Sequence, residues 1–198
     1  LIPAFDRPSG TNITGVYNGS PIEQQMDLIL EIQPDVKKLG YMYNAGEDNS
    51  VSIKKRMEEY LKTKNIEVVA VTVASSNEVS AAAQSLVGRV DAIFYSHDNT
   101  VMSALETVVR IAQDNDIPFY AGDIESVKRG ALATVGNDEY DCGVQSAIIA
   151  ARILRGEKAG DIPSELVRKY ALIVNQSVAK EYNVEIPQTV LERADEIL

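Results

Sequence analysis

The sequence predicts an α/β protein, a five-stranded parallel doubly wound sheet in the order 2-1-3-4-5, on three observations. Short apolar runs alternate with amphipathic, helix-like stretches from Val36 to Val135, the βαβ rhythm that builds parallel sheets. Helix starts and stops punctuate that rhythm with Ser, Pro, Glu and Gly at the expected positions. Three apolar runs also end abruptly in polar loops carrying amides and carboxylates: YMYNAGEDNS (41–50), IFYSHDNT (93–100) and FYAGDIES (119–126).

Residues 1–19 are rich in Pro and Gly (Pro3, Pro8, Gly10, Gly15, Gly19) and predict a loop with a short extended run over 12–17. Ser20-Pro21-Ile22-Glu23 predicts a capped helix start, and the helix stops at Pro34. Strand 38–44, helix 50–64 and strand 66–73 follow. The capping box Ser75-Ser76-Asn77-Glu78 opens a helix to about 87, and strand 91–96 comes next. Helix 100–115, strand 117–122, a helical turn at 124–129 and strand 131–135 complete the five-strand set. Beyond Gly136 a long helix, 138–155, carries the apolar set Val144, Ala147, Ile148, Ala151, Ile153 and Leu154 and closes at Gly156. A surface loop (156–166), a strand (170–175) and helices at 176–182 and 188–197 end the chain.

Composition narrows the function. With 45% hydrophobic residues, a formal net charge of −10 and scattered acids, the chain has ample core, and neither nucleic acid nor anionic lipid is an expected partner. Cys142 is the single cysteine and His97 the single histidine, so no intramolecular disulfide, thiolate metal site or multi-histidine metal site is available. No GxGxxG after a strand, GxxxxGK[ST], GxSxG or HExxH occurs. No motif therefore supports catalysis, His97 beside Asp98 reads as a base or as a loop-end histidine making a hydrogen bond, and no cofactor or metal is expected.

In the order 2-1-3-4-5 the first and third strands are neighbours, so loops 44–50 and 96–100 flank the switch-point crevice and Asp123 joins them after the fourth strand. Such a crevice suits a zwitterion. A carboxylate can meet the start of helix 50–64 with Asn49 and Ser50, while Asp98 and Asp123 face an ammonium or hydroxyls. Ser50 and Asn99 read equally as plain helix caps, and Asp123 as a turn former. Tyr43 is a candidate for stacking on an aromatic ligand or for packing at the sheet rim.

Several stretches carry a resemblance: GTNITGV (10–16), PIEQQMDLI (21–29), LGYMYNAGEDNS (39–50), AAQSLVGRVDAIF (82–94), DNTVMSALETVV (98–109), IPFYAGDIESVKRGALATVG (117–136) and IP..VLERAD (186–195). In this order they resemble the substrate-binding proteins of ABC transporters in the tryptophan/tyrosine uptake family. The resemblance implies a type I periplasmic-binding fold, with two α/β lobes joined by three crossings and a ligand held in the cleft without reaction. It implies that residues 1–136 form one lobe with the first crossing at 10–16. Residues 137–168 are then a segment of a largely absent N-terminal lobe, and 169–198 return to the first.

The same resemblance puts ligand contacts on Asn44, Glu47, Asn49, Ser50, Asp98, Asn99 and Asp123, with Asn137 at a crossing. Tyr17-Asn18 stand where relatives often carry Ser-Asp, a departure at the first crossing. The implied partners are a small amino acid, aromatic or apolar, and the membrane permease of an ABC importer. The implied location is outside the cytoplasm, with room for a lipid anchor in sequence ahead of Leu1. A sugar or nucleoside binder and the effector lobe of a transcriptional regulator are the alternatives. The apolar face of helix 138–155, lacking its sheet, is expected to leave the helix disordered, docked onto its own lobe or buried against another copy, a self-association of this chain.

Overall fold

Alternating apolar and polar stretches give alternating strands and helices in the computed structural model, which describes residues 7–198. The first six residues of the expected N-terminal loop lie outside that range. The chain divides into two compact units, residues 1–20 with 137–170, and residues 21–136 with 171–198.

The larger unit opens with α1 (Ile22–Ile32) and continues through β2 (Lys38–Tyr43), α2 (Asp48–Lys62), β3 (Glu67–Thr72), α3 (Val79–Leu86) and β4 (Ala92–Tyr95). Then come α4 (Asn99–Met102), α5 (Leu105–Asp114), β5 (Phe119–Ala121), α6 (Ile124–Lys128) and β6 (Ala133–Asn137), whose last residue already belongs to the smaller unit. Strands β3, β2, β4 and β5 form one four-stranded sheet in that order, every pair parallel. All four residues of β4 are buried. Since strand side chains alternate between faces, both faces of the sheet are covered there, which is why AIFY is apolar without interruption. Helix α1 packs on α2 and α3 on α5.

The expected five-stranded sheet is corrected at its last strand. β6 lies instead in a three-stranded sheet with β8 (Tyr170–Val174) and β9 (Glu196–Ile197). The backbone explains the division. Leu132 N–H donates to Phe119 O at 2.7 Å, so β6 begins beside β5, but Leu132 O, which the next rung would offer to Ala121 N–H, accepts Asn175 N–H at 2.8 Å instead, and three residues on the Gln25 side chain bridges the Gly122 and Val135 carbonyls.

Other differences are local. Pro21 is itself the N-cap of α1, so the helix starts at Ile22 and the expected Ser20 cap is displaced. The box at Ser75 is half formed: the Glu78 carboxylate reaches back to Ala74 N–H at 2.9 Å, above a short 3-10 turn. The helix expected over 100–115 breaks at Ala104, whose φ of −128° and ψ of 27° separate α4 from α5. The C-terminal helix stops at Leu191 as α9 (Gln188–Leu191), preceded by α8 (Gln176–Glu181). Beyond it Asp195 both donates to Leu172 O and accepts from Leu172 N–H, each at 2.8 Å, which draws the last residues onto β8 as a strand.

In the smaller unit β1 (Val16–Tyr17) pairs in parallel with β7 (Glu165–Leu166), a short strand inside the expected loop 156–166, and α7 (Glu139–Leu154) packs against β1. Asp138 caps α7 by accepting Asp141 N–H at 3.1 Å. The helix exposes Tyr140, Val144, Ile148 and Leu154. No helix among the described residues is long and apolar enough to cross a membrane.

Candidate functional site

Parallel strands put their C-terminal ends on one edge, so the loops after β2 and β4 come together in the larger unit. Asp98 is the joint between them. The residue is 1% exposed. Oδ1 accepts Val101 N–H at 3.0 Å, capping α4, while Oδ2 accepts Asn44 N–H at 2.6 Å and Ser50 Oγ–H at 2.8 Å. A carboxylate has about four lone-pair sites, and three face donors from its own fold.

Glu47 ties the same loops from the other side. Oε2 accepts Asn99 N–H at 3.1 Å and Asn99 Nδ2–H at 2.8 Å, and Oε1 accepts Thr100 N–H at 3.2 Å and Thr100 Oγ1–H at 3.1 Å. Partial burial by itself would raise the Glu47 pKa, but these hydrogen bonds from Asn99 and Thr100 outweigh it and hold the carboxyl below its ordinary range. Asn44 donates from Nδ2 to Thr100 Oγ1 at 2.8 Å and accepts Gly46 N–H at 2.8 Å. Asn49 donates to His97 O at 2.6 Å.

These contacts change what each residue offers. Glu47 precedes α2 yet makes no side-chain cap on it, because its carboxylate is turned to α4. The start of the 15-residue helix α2 therefore keeps N–H groups and a positive dipole end that an anion can meet. Ser50 is no cap; it lies inside the first turn, buried, with its hydroxyl given to Asp98. Below the loops Tyr41 stacks between Tyr43 and Phe94, at 5.5 and 6.1 Å between centroids. Burial, then the Asp98 charge, pushes the Tyr41 hydroxyl pKa well above its ordinary value, so it stays a neutral donor, here to Ser50 O at 3.3 Å.

Asp123, after β5, shares no hydrogen bond with that cluster among the described residues. Its Oδ1 accepts Ser126 N–H at 2.8 Å and its Oδ2 accepts Ser126 Oγ–H at 2.7 Å, the cap of α6. Asn137 belongs to the smaller unit. It is buried and donates from Nδ2 to Asn18 Oδ1, while Asn18 Nδ2 donates to Glu139 Oε1 at 3.1 Å.

The structure thus gathers Asn44, Glu47, Asn49, Ser50, Asp98 and Asn99 into one network. Asp123 caps its own helix, and Asn137 lies in the other unit. Thr100 and Gln25 escaped the sequence reading. The hydroxyl after the DN pair was a signal for Thr100, whereas nothing local marks a glutamine inside a helix. Among the described residues no cluster of His, Cys, Asp and Glu is placed to hold a metal ion.

Comparisons with known proteins agree with one another. A family model described as ABC transporter substrate binding protein matches residues 1–198. A tyrosine-binding protein of Clostridioides difficile is 32% identical over 93% of this chain and 53% of its own length. The solved ABC domain in complex with L-Trp from Streptococcus pneumonia is 32% identical, with a TM-score of 0.91 over all of this chain and 67% of that one. A conserved domain protein from Vibrio cholerae is 35% identical, with a TM-score of 0.88 over 94% of this chain and 63% of that one. The chain spans about half the length of its curated relatives. A LacI-family regulator from Bifidobacterium animalis and an arabinose-binding protein from Geobacillus stearothermophilus, 14% and 16% identical with TM-scores of 0.61 and 0.65, share the fold alone.

Proposed function

Because the chain belongs to the family of ABC transporter substrate-binding proteins, we propose that the full-length protein is the solute-binding component of an ABC importer. It takes an aromatic or other apolar amino acid outside the cytoplasm and passes it, unreacted, to a membrane permease. The observation that carries this reading is the family match over residues 1–198 together with 32% identity to a protein solved with L-Trp. The larger unit is one lobe, and residues 1–20 with 137–170 are part of a second lobe whose remainder lies in the length that relatives have and this chain does not span. A lipid anchor ahead of Leu1 fits a role at the outer face of the membrane.

The uncapped start of α2 suits the ligand carboxylate, with Asn49 and Ser50 beside it. Asp123 suits the ammonium, since its half-exposed carboxylate accepts only from Ser126 among the described residues and keeps lone pairs for a further donor. Asp98 and Glu47 act chiefly by holding the α2 and α4 starts in register, and Asn44 and Asn99 serve the same network.

Calorimetry on the full-length protein with L-tryptophan and L-tyrosine tests the reading. Removing one partner of a buried charge pair costs about 2–5 kcal/mol, so Asp123→Asn should weaken binding by roughly thirtyfold to a few thousandfold at about 1.4 kcal/mol per decade. Unchanged affinity in Asp123→Asn would take Asp123 out of the site. A wild-type protein that binds ribose or a nucleoside and neither amino acid would replace the reading with that of a sugar or nucleoside binder.

A further inference from the structure

A buried carbonyl that no ladder reaches needs a donor from elsewhere. β5 and β6 meet through one backbone bond at Phe119 and Leu132, and three residues on, where no ladder joins them, the Gln25 side chain, 2% exposed, lies between them. Its Nε2 donates to Gly122 O at 3.0 Å and to Val135 O at 2.8 Å. Both neighbours are carbonyls, which only accept, so the amide orientation is set by the chemistry. Gln25 is itself held by α1, its own N–H bonding Pro21 O at 2.9 Å.

Gly122 is pinned on its other side as well. A Cβ there would stand 3.0 Å from Ser96 Cα and Oγ, at the end of β4. The residue after it is Asp123. The place of Asp123 on the sheet edge is thus set by the end of β4 on one side and by the Gln25 amide in the gap toward β6 on the other.

We propose that Gln25 is a positioning residue for ligand binding: by holding the Gly122 and Val135 carbonyls at a fixed separation, it aims the Asp123 loop at the ligand ammonium. The ligand part of this rests on the amino-acid-binding reading; the positioning part stands on the larger unit's own geometry.

The test uses the full-length protein and the near-isosteric Gln25→Met, which removes both donors and keeps the volume. Without ligand, hydrogen exchange at the Ser126 amide should speed up at least tenfold, while Val101, capped by Asp98, stays as in wild type. Equal exchange at Ser126 overturns the positioning role. With L-tryptophan and L-tyrosine, affinity measured where the variant is fully folded should fall at least tenfold. The loss should be non-additive with Asp123→Asn, because both act through one carboxylate. Additive losses, or unchanged affinity, overturn the proposal, since a purely stabilising role leaves the affinity of folded protein alone. Should wild type bind neither amino acid, the functional reading and the ligand part fall together, and faster Ser126 exchange still distinguishes that from a failure of the positioning role. If Gln25→Met does not fold, the Gln25 side-chain amide resonances of the wild type decide: they should shift on adding L-tryptophan, and resonances that stay in place in the saturated protein overturn the proposal.

Discussion

Asp98 shows how a charged side chain becomes structural at the scale of one residue. It is buried against N–H donors of Asn44 and Val101 and the Ser50 hydroxyl. Asp98→Ala leaves those donors without an acceptor, and each buried unsatisfied group costs about 1–3 kcal/mol. The variant should lose about 3 kcal/mol in urea unfolding, and Ser50→Ala only about 1, because it removes a donor while Asp98 keeps its other partners. Equal losses would contradict the central place given to the carboxylate. Glu47 adds a pH dependence. Its folded-state pKa is depressed, so its contribution is fully present above the ordinary glutamate value of about 4.3 and is lost as pH falls through the lower folded value. The stability difference between wild type and Glu47→Gln should therefore be constant from neutral pH down to about 5 and shrink below about 4. A difference that grew on acidification would have the wrong sign.

Helix ends govern the element scale. After α6, Ala131 N–H bonds Ser126 O at 2.9 Å and Gly130 N–H bonds Val127 O at 3.2 Å, the paired bonds of a Schellman close with Gly130 at φ +114°. The same two bonds end α2 at Asn65 (φ 60°), α5 at Asp116 (φ 53°), α7 at Gly156 (φ 102°) and α8 at Asn183 (φ 52°). An L side chain in this region costs roughly 1–2 kcal/mol, least for Asn and Asp. Asp116→Gly should therefore raise stability by up to about 1 kcal/mol. Gly130→Ala should lower it by about 2 kcal/mol or more, since its Cβ would also stand 2.7 Å from Val109 Cγ1. Thermal unfolding of the two variants checks both signs. Of these five closes the sequence reading found only Gly156: Asn and Asp are common in every loop, and nothing local says which one turns left-handed.

At the scale of the whole molecule the exposed face of α7 matters most. Tyr140, Val144 and Ile148 recur every four residues and so line one stripe of the helix, with Leu154 88% exposed near its end. A contiguous apolar patch of this kind seeks cover. Sedimentation of the 198-residue chain should show concentration-dependent association that Ile148→Lys suppresses, whereas on the two-lobe proposal, in which further chain covers α7, the full-length protein should remain monomeric. A monodisperse monomer of the 198-residue chain across a hundredfold concentration range would remove α7 as an interface.

What the sequence determined by itself is what periodicity and punctuation carry. The four strands β2 to β5, their interleaved helices, and the polar ends at Asn44, Asp98 and Asp123 follow from near neighbours along the chain. The tertiary structure alone decided where hydrogen bonds go between residues far apart in sequence. Asn175 takes the Leu132 carbonyl and draws β6 from the sheet while Gln25 bridges the Gly122 and Val135 carbonyls, Leu172 takes Asp195 and turns an expected helix end into β9, and Glu47 abandons its own helix for α4. Each is a choice among several satisfiable partners, and that choice is made by position in space, which local sequence does not encode.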